Sequence, residues 1–170
     1  MKINCIDSLF SPDEVNQVVQ LGDSLIHTEG RIKNDKLDHK VRNAKIAWIH
    51  PSEASWWLFD KAIKVFANSL PFSSLQSMQY TVYHTGGHYD WHKDVGDGDK
   101  IMKARVEAAV LQLSEPSDYE GGILEIKDRA KILAIPKQQG MVATFPVEAW
   151  HRVTPTTSGV RKTLILWSLK

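Results

Sequence analysis

Two histidines, one carboxylate and one arginine stand in an order that suits metal chemistry: His92-Lys93-Asp94, then His151, then Arg161. Side chains alternate along an extended strand, so His92 and Asp94 share a face while Lys93 points away. A histidine from a second strand completes a facial triad, the donor set of a mononuclear non-haem iron(II) centre with open coordination positions. Arg161, ten residues past His151 in a strand-like run, offers a fixed planar cation suited to a carboxylate. Such a set points to an oxygenase. No Ser-His-Asp constellation for nucleophilic catalysis is apparent.

A second His-x-Asp lies just upstream, His88-Tyr89-Asp90. Strict alternation would put residues 88, 90, 92 and 94 on one strand face. Gly86-Gly87 places His88 at a turn, whereas Asp94 runs into the loop-like Val95-Gly96-Asp97-Gly98-Asp99. Ligands at a strand end beside a loop leave a metal accessible, so His92 and Asp94 are the assigned pair.

The elements that must carry these residues can be read in outline. A chain of 170 residues is expected to form one domain that buries roughly 70% of its unfolded surface. Twenty-one basic residues balance twenty acidic ones, which gives no broad footprint for nucleic acid. A single cysteine, Cys5, excludes an intramolecular disulfide and fits a reducing compartment. The start, Met1 through Asp7, lacks the apolar core of a signal peptide, and no run reaches the length of a membrane span. The expectation is a cytoplasmic protein with neither a membrane nor a nucleic-acid partner.

Ser11-Pro12-Asp13-Glu14 reads as a helix start, followed by apolar Val15, Val18, Val19 and Leu25. Residues 27–43 are polar, residues 45–49 read as a strand, and Pro51-Ser52-Glu53 opens a second helix expected to run to Asn68, with Trp57, Ala62, Val65 and Phe66 buried. Beyond Pro71 the period becomes two. Strands are predicted near 77–84, 88–93, 105–113, 122–127, 130–135, 141–145, 150–154 and 161–168, with turns at 86–87, 96–99, 121–122, 127–129, 136–140 and 155–159. About eight short strands predict a mainly β (α+β) fold: a jelly-roll, cupin-like core at 76–170, with helical support and a lid at 1–75. The polar segment 29–43 is the expected mobile lid, because unstructured loops beyond about 12–15 residues are usually functional or disordered.

The chain also carries, in order, Tyr83, Gly86-Gly87, Tyr89-x-x-His92-x-Asp94, Arg105, Leu113, Gly121-Gly122-Ile123-Leu124, Gly140, Phe145, His151-Arg152-Val153-Thr154-Pro155, Gly159-Val160-Arg161 and Trp167. This ordered set resembles the 2-oxoglutarate- and iron(II)-dependent dioxygenases, whose core is a double-stranded β-helix, and within them the prolyl 4-hydroxylases. The stretch Ser114 through Gly122 is similar to bacterial PKHD-type hydroxylases, and Arg42 through Ile49 resembles the end of the substrate lid in oxygen-sensing prolyl hydroxylases.

The resemblance implies His92, Asp94 and His151 as iron ligands and Arg161 as partner of the distal carboxylate of 2-oxoglutarate. It implies Tyr83 and Thr163 as hydrogen-bonding residues of the cosubstrate pocket, and Arg105, Trp167 and Arg42 near the substrate. Gln112 stands where relatives often carry a tyrosine touching the cosubstrate. Trp150 is expected to pack. The implied cofactor is Fe(II), with 2-oxoglutarate and dioxygen as cosubstrates, succinate and carbon dioxide as co-products, and ascorbate as an optional reductant. The implied substrate is a proline-containing protein or peptide. The alternatives are the same chemistry on a free amino acid or another small molecule, and a cupin-like metal-binding module without turnover. The nucleic-acid repair branch usually has a second arginine six residues after the first, where this chain has Trp167.

Overall fold

The structure, a computed structural model, describes residues 2–32, 35–66, 75–96 and 100–170. In chain order its elements are β1 (Asn4–Ile6), α1 (Pro12–Asp23), β2 (Thr28–Glu29), β3 (Arg42–Asn43), β4 (Lys45–Ile49), α2 (Trp56–Ile63), β5 (Met78–Tyr83), β6 (His88–His92), α3 (Lys100–Ala104), β7 (Arg105–Gln112), β8 (Tyr119–Gly121), β9 (Leu124–Asp128), β10 (Lys131–Ala134), β11 (Val142–Pro146), β12 (His151–Val153), β13 (Thr156–Gly159) and β14 (Arg161–Leu169). A seven-stranded sheet has the order β1-β11-β7-β14-β5-β4-β2, and a five-stranded sheet the order β10-β9-β12-β6-β3. Both are antiparallel, which gives the expected double-stranded β-helix.

Period-two alternation divides the larger sheet into two working faces. Tyr80 and Val82 of β5, Ala109 and Leu111 of β7, and Leu164 and Leu166 of β14 pack with Val15 and Val18 of α1 and Leu58, Phe59 and Ala62 of α2. The intervening residues, among them Tyr83, Arg161, Thr163 and Ile165, turn inward and line a cavity of about 760 Å³ between the sheets. The helices thus bury the back of the sheet whose front carries the site. The first helix begins as expected: the Ser11 hydroxyl accepts from the Glu14 amide at 3.2 Å, and the Glu14 carboxylate accepts from the Ser11 amide at 2.7 Å.

Three expectations change. The second helix starts at Trp56, not at Pro51. The buried Ser55 hydroxyl donates to the His50 carbonyl at 2.7 Å and accepts from the Ser52 amide at 2.9 Å, which closes a turn that delays the helix. It also ends early, at Ile63, where the Lys64 amide turns back onto the Lys61 and Ala62 carbonyls; the expected end at Asn68 itself lies outside the described residues. The predicted turn at 155–159 contains β13, which pairs with β8 in a two-stranded ribbon. Strands β1, β2, β3 and β8 and helix α3 are not among the expected elements; β1, β2 and β3 extend the two sheets at their edges. Among the described residues no helix is long and apolar enough to cross a membrane.

Candidate metal centre

His92 ends β6 and pairs directly with His151 of β12. On β12 the step from His151 to Val153 is two residues, but it spans His92 to Tyr89 on β6, which is three. This extra residue is a β-bulge, and it re-aims the strand. Tyr89 therefore shares the cavity with His92, its ring stacked on the imidazole at 3.4 Å between centroids. Simple alternation along residues 88–94 does not hold. His88 faces away, its ring nitrogens 3.0 and 3.1 Å from the carbonyls of Gly86 and Lys40, and Asp90 is exposed.

His92, Asp94 and His151 each offer one ligand atom, all within 4.8 Å of one another. Nδ1 of His92 lies 2.7 Å from the Asp90 carbonyl, and Nδ1 of His151 lies 2.9 Å from the Ala149 carbonyl. A carbonyl only accepts, so each Nδ1 carries a proton, which leaves each Nε2 as the nitrogen available to a metal. The two Nε2 atoms sit 3.6 and 3.7 Å from the Asp94 carboxylate oxygens. Burial, reinforced by the charge of His151, pushes the His92 pKa down to about 3. Burial alone would raise that of Asp94, but His151, His92 and Arg105 and a hydrogen bond from Trp167 hold it below its ordinary value. A neutral His92 and an ionised carboxylate are the forms a divalent metal binds without displacing protons.

Trp167 donates from Nε1 to Asp94 Oδ2 at 2.8 Å, and Arg105 lies over the Trp167 ring at 3.7 Å. Arg105 also donates to the Asp94 carbonyl at 3.2 Å and to Gln76 at 2.8 Å. The pair that the resemblance puts near the substrate therefore also braces the carboxylate. Trp150, expected to pack, is 46% exposed with the Lys93 ammonium 5.2 Å from its ring centroid; its place beside His151 in β12 turns it outward.

Arg161 is fully buried on the facing sheet. Its Nη2 donates to Gln112 Oε1 at 3.1 Å, while Nε and Nη1 have no hydrogen-bond partner among the described residues, and neither has Thr163 Oγ1. Gly122, at φ +56°, makes room for it: a Cβ there would come within 2.9 Å of Arg161 Cδ. Buried donors without partners are costly, and a cation costs most, so this guanidinium fits a bound carboxylate. Tyr83 lies beside it, 5.3 Å from guanidinium carbon to ring centroid. All the site residues expected from sequence line the cavity except Gln112, which reaches it through Arg161. Tyr89 as a cavity residue was missed, because its face depends on the bulge, as was Gln76, which is far in sequence from every motif.

The family model for the 2OG-Fe(II) oxygenase superfamily matches residues 78–169, more than half of the chain. A PKHD-type hydroxylase of Azoarcus sp. (strain BH72) is 32% identical over 56% of this chain and 44% of its own length. One from Pseudomonas fluorescens (strain Pf0-1) is 26% identical over 96% of this chain and 76% of its own. The chain thus spans under half of the first relative's length. Among solved structures, a Trichoplax adhaerens prolyl hydroxylase, in complex with a peptide fragment of the hypoxia inducible factor oxygen degradation domain, matches with a TM-score of 0.81 at 20% identity, over 98% of this chain and 83% of that one. A Pseudomonas putida prolyl-4-hydroxylase matches with a TM-score of 0.76 at 21% identity, over 99% and 92%.

Proposed function

The chain belongs to the 2OG-Fe(II) oxygenase superfamily, and from that membership we propose that this dioxygenase is a prolyl 4-hydroxylase acting on a protein or peptide. The family implies Fe(II), 2-oxoglutarate and dioxygen, and the donor set suits them. When bound, the iron would activate dioxygen, the oxidant, of which one oxygen atom enters a substrate C–H bond and the other enters succinate as 2-oxoglutarate loses carbon dioxide.

The protein's share is placement. His92, Asp94 and His151 would hold the metal, with the two Nδ1–H bonds fixing both rings. Arg161 would pair with the far carboxylate of 2-oxoglutarate, with Thr163 and Tyr83 beside it, while Gln112 Oε1 accepts from its Nη2. Trp167 and Arg105 hold Asp94 still at the side where the substrate would enter. The buried, half-partnered Arg161 in the cavity of the triad is the observation that carries the reading, since a passive metal module has no use for it. The prolyl part rests on the names of the structural neighbours and the peptide part on the complex of one of them.

The test is mass spectrometry of protein loaded anaerobically with Fe(II) and 2-oxoglutarate, then given oxygen and proline-containing peptides. A product heavier by one oxygen atom, dependent on both iron and 2-oxoglutarate and located on proline, is the expected outcome. Turnover of 2-oxoglutarate with no oxidation of any proline peptide would leave the dioxygenase and remove the prolyl assignment.

A further inference from the structure

Among the described residues the buried arginines are Arg42, Arg105 and Arg161, the one buried carboxylate is that of Asp94, and all four line the same cavity. At the rim the charges pair among themselves, Arg31 with Asp35 at 3.5 Å and Glu29 with Lys45. A divalent metal and a doubly charged dicarboxylate cancel each other, and the Asp94 carboxylate offsets one guanidinium, so with Arg105 set aside, loading the site still leaves one of Arg42 and Arg161 uncompensated. Burying uncompensated charge is expensive. Some further anion belongs in this cavity.

Its place follows from how each arginine is held. Arg161 is assigned to the cosubstrate, and Arg105 is bonded to Gln76 and the Asp94 carbonyl against the Trp167 ring. Arg42 differs from both. It is only 6% exposed, its Nη1 donates to the Arg31 carbonyl at 2.9 Å, and its Nε is buried with no partner among the described residues. Its guanidinium lies 4.5 Å from the centroid of Tyr89, the ring stacked on His92, so the cation stands two rings from the metal centre. Gly30 makes this position possible, since a Cβ there would fall 2.6 Å from Arg42 Nε. No carboxylate of the described residues pairs with Arg42.

We propose that Arg42 receives a carboxylate of the substrate, carried on or next to the residue that is oxidised. The inference rests on the dioxygenase reading and narrows its substrate to acidic ones. A guanidinium presents parallel N–H groups that a carboxylate accepts together, which favours this anion over a neutral amide. The carboxylate has two chemical sources: an acidic side chain flanking the target in a peptide, or the free carboxylate of a terminal residue or amino acid.

The test compares four substrates with Fe(II)-loaded protein: N-acetyl-Ala-Pro-Ala amide, N-acetyl-Glu-Pro-Ala amide, N-acetyl-Ala-Ala-Pro with its carboxylate free, and L-proline. A carboxylate-bearing member is expected to exceed the neutral peptide in kcat/KM by about ten- to a hundredfold, the range of a charge-assisted hydrogen bond. Preference for the second compound identifies the flanking side chain, and preference for the third or fourth the free carboxylate. In Arg42→Met the preference should collapse towards unity. Equal rates for neutral and acidic substrates, or an undiminished preference in Arg42→Met, would overturn the proposal.

A binding measurement decides the matter even if proline is not the target or the variant does not fold. Wild-type protein loaded with Zn(II) and 2-oxoglutarate is titrated with N-acetylglutamate N-methylamide and, separately, with its glutamine counterpart. The arginine Nε–H resonance absent from Arg42→Lys should shift with the first compound and not the second. No shift, or the same shift with both, would refute the carboxylate role. Uncoupled 2-oxoglutarate decarboxylation, measured alone, reports whether the dioxygenase reading itself stands.

Discussion

A histidine becomes a metal ligand through its second nitrogen. For His92 and His151 the Nδ1–H is committed to a backbone carbonyl and Nε2 is left facing Asp94, whereas both nitrogens of His88 face carbonyls. His92→Ala should therefore abolish iron-dependent 2-oxoglutarate turnover while His88→Ala keeps most of it, and an inactive His88 variant with an active His92 variant would reverse the assignment. Arg161 should show its role in a different constant. With two N–H groups unpartnered in the cavity, Arg161→Ala should raise KM for 2-oxoglutarate about ten- to a hundredfold. Iron affinity, read by metal titration, should barely move. Arg161→Lys should recover only part of the loss, because an ammonium cannot reproduce the planar fork. An unchanged KM in Arg161→Ala would exclude the anchor.

At the scale of elements, the site depends on how helices and edge strands grip the two sheets. Asp23, the last residue of α1, accepts from the Tyr80 hydroxyl of β5 at 2.7 Å and from Lys162 Nζ of β14 at 2.6 Å. Burial would raise its pKa, but the bonds from Lys162 and Tyr80 prevail and hold it below the ordinary value. A depressed carboxyl pKa adds stability that is fully present above the unfolded value of about 3.9 and is lost as pH falls through the folded one. Asp23→Asn should thus cost about 1 kcal/mol or less at pH 7, given the group's exposure to solvent. Urea unfolding across pH 6 to 2 should show that difference shrinking in acid; a constant gap would mean the carboxylate charge is not what matters.

The edges make a second element-scale argument. Strand β2 hangs on the larger sheet through β4, and β3 hangs on the smaller one through β6. The segment between them crosses from one sheet to the other, and Arg31, Ile32 and Asp35 within it line the cavity; Lys33 and Asn34 lie outside the described residues. We propose that this is the lid expected at residues 29–43, closing over substrate to exclude water. Hydrogen exchange in this segment should slow when a confirmed substrate joins metal- and cosubstrate-loaded protein. Unaltered exchange there, with turnover intact after the segment is shortened, would end the lid reading.

Across the whole molecule, what could be read from sequence was what repeats or has fixed spacing. The alternation in β5, β7 and β14, the Ser11 capping box and the order His92, Asp94, His151, Arg161 are all periodic or local. What escaped depends on distant pairing: the β6 bulge that turns Tyr89 inward is visible only against β12, and β13 exists because β8 pairs with it. The site itself has the same non-local character. His92 and His151 stand on the smaller sheet, Arg161 and Thr163 on the larger, and Trp167 of the larger sheet bonds to Asp94 beyond the end of β6. A metal with its cosubstrate would therefore tie the two sheets together, and ligands that bind only the folded state raise its stability by mass action. At a hundredfold excess over Kd each contributes about 2.7 kcal/mol, or roughly 5–10 °C in Tm for a chain of this size. Under anaerobic conditions Fe(II) should raise Tm by that order, and 2-oxoglutarate should raise it again only when metal is present. A chelator should remove both increments. His92→Ala should lose both, and Arg161→Ala should keep the metal's and lose most of the cosubstrate's. If 2-oxoglutarate stabilised chelator-treated protein as strongly as the metal-loaded form, the cosubstrate would be binding away from the triad, and the joint site spanning the two sheets would be wrong.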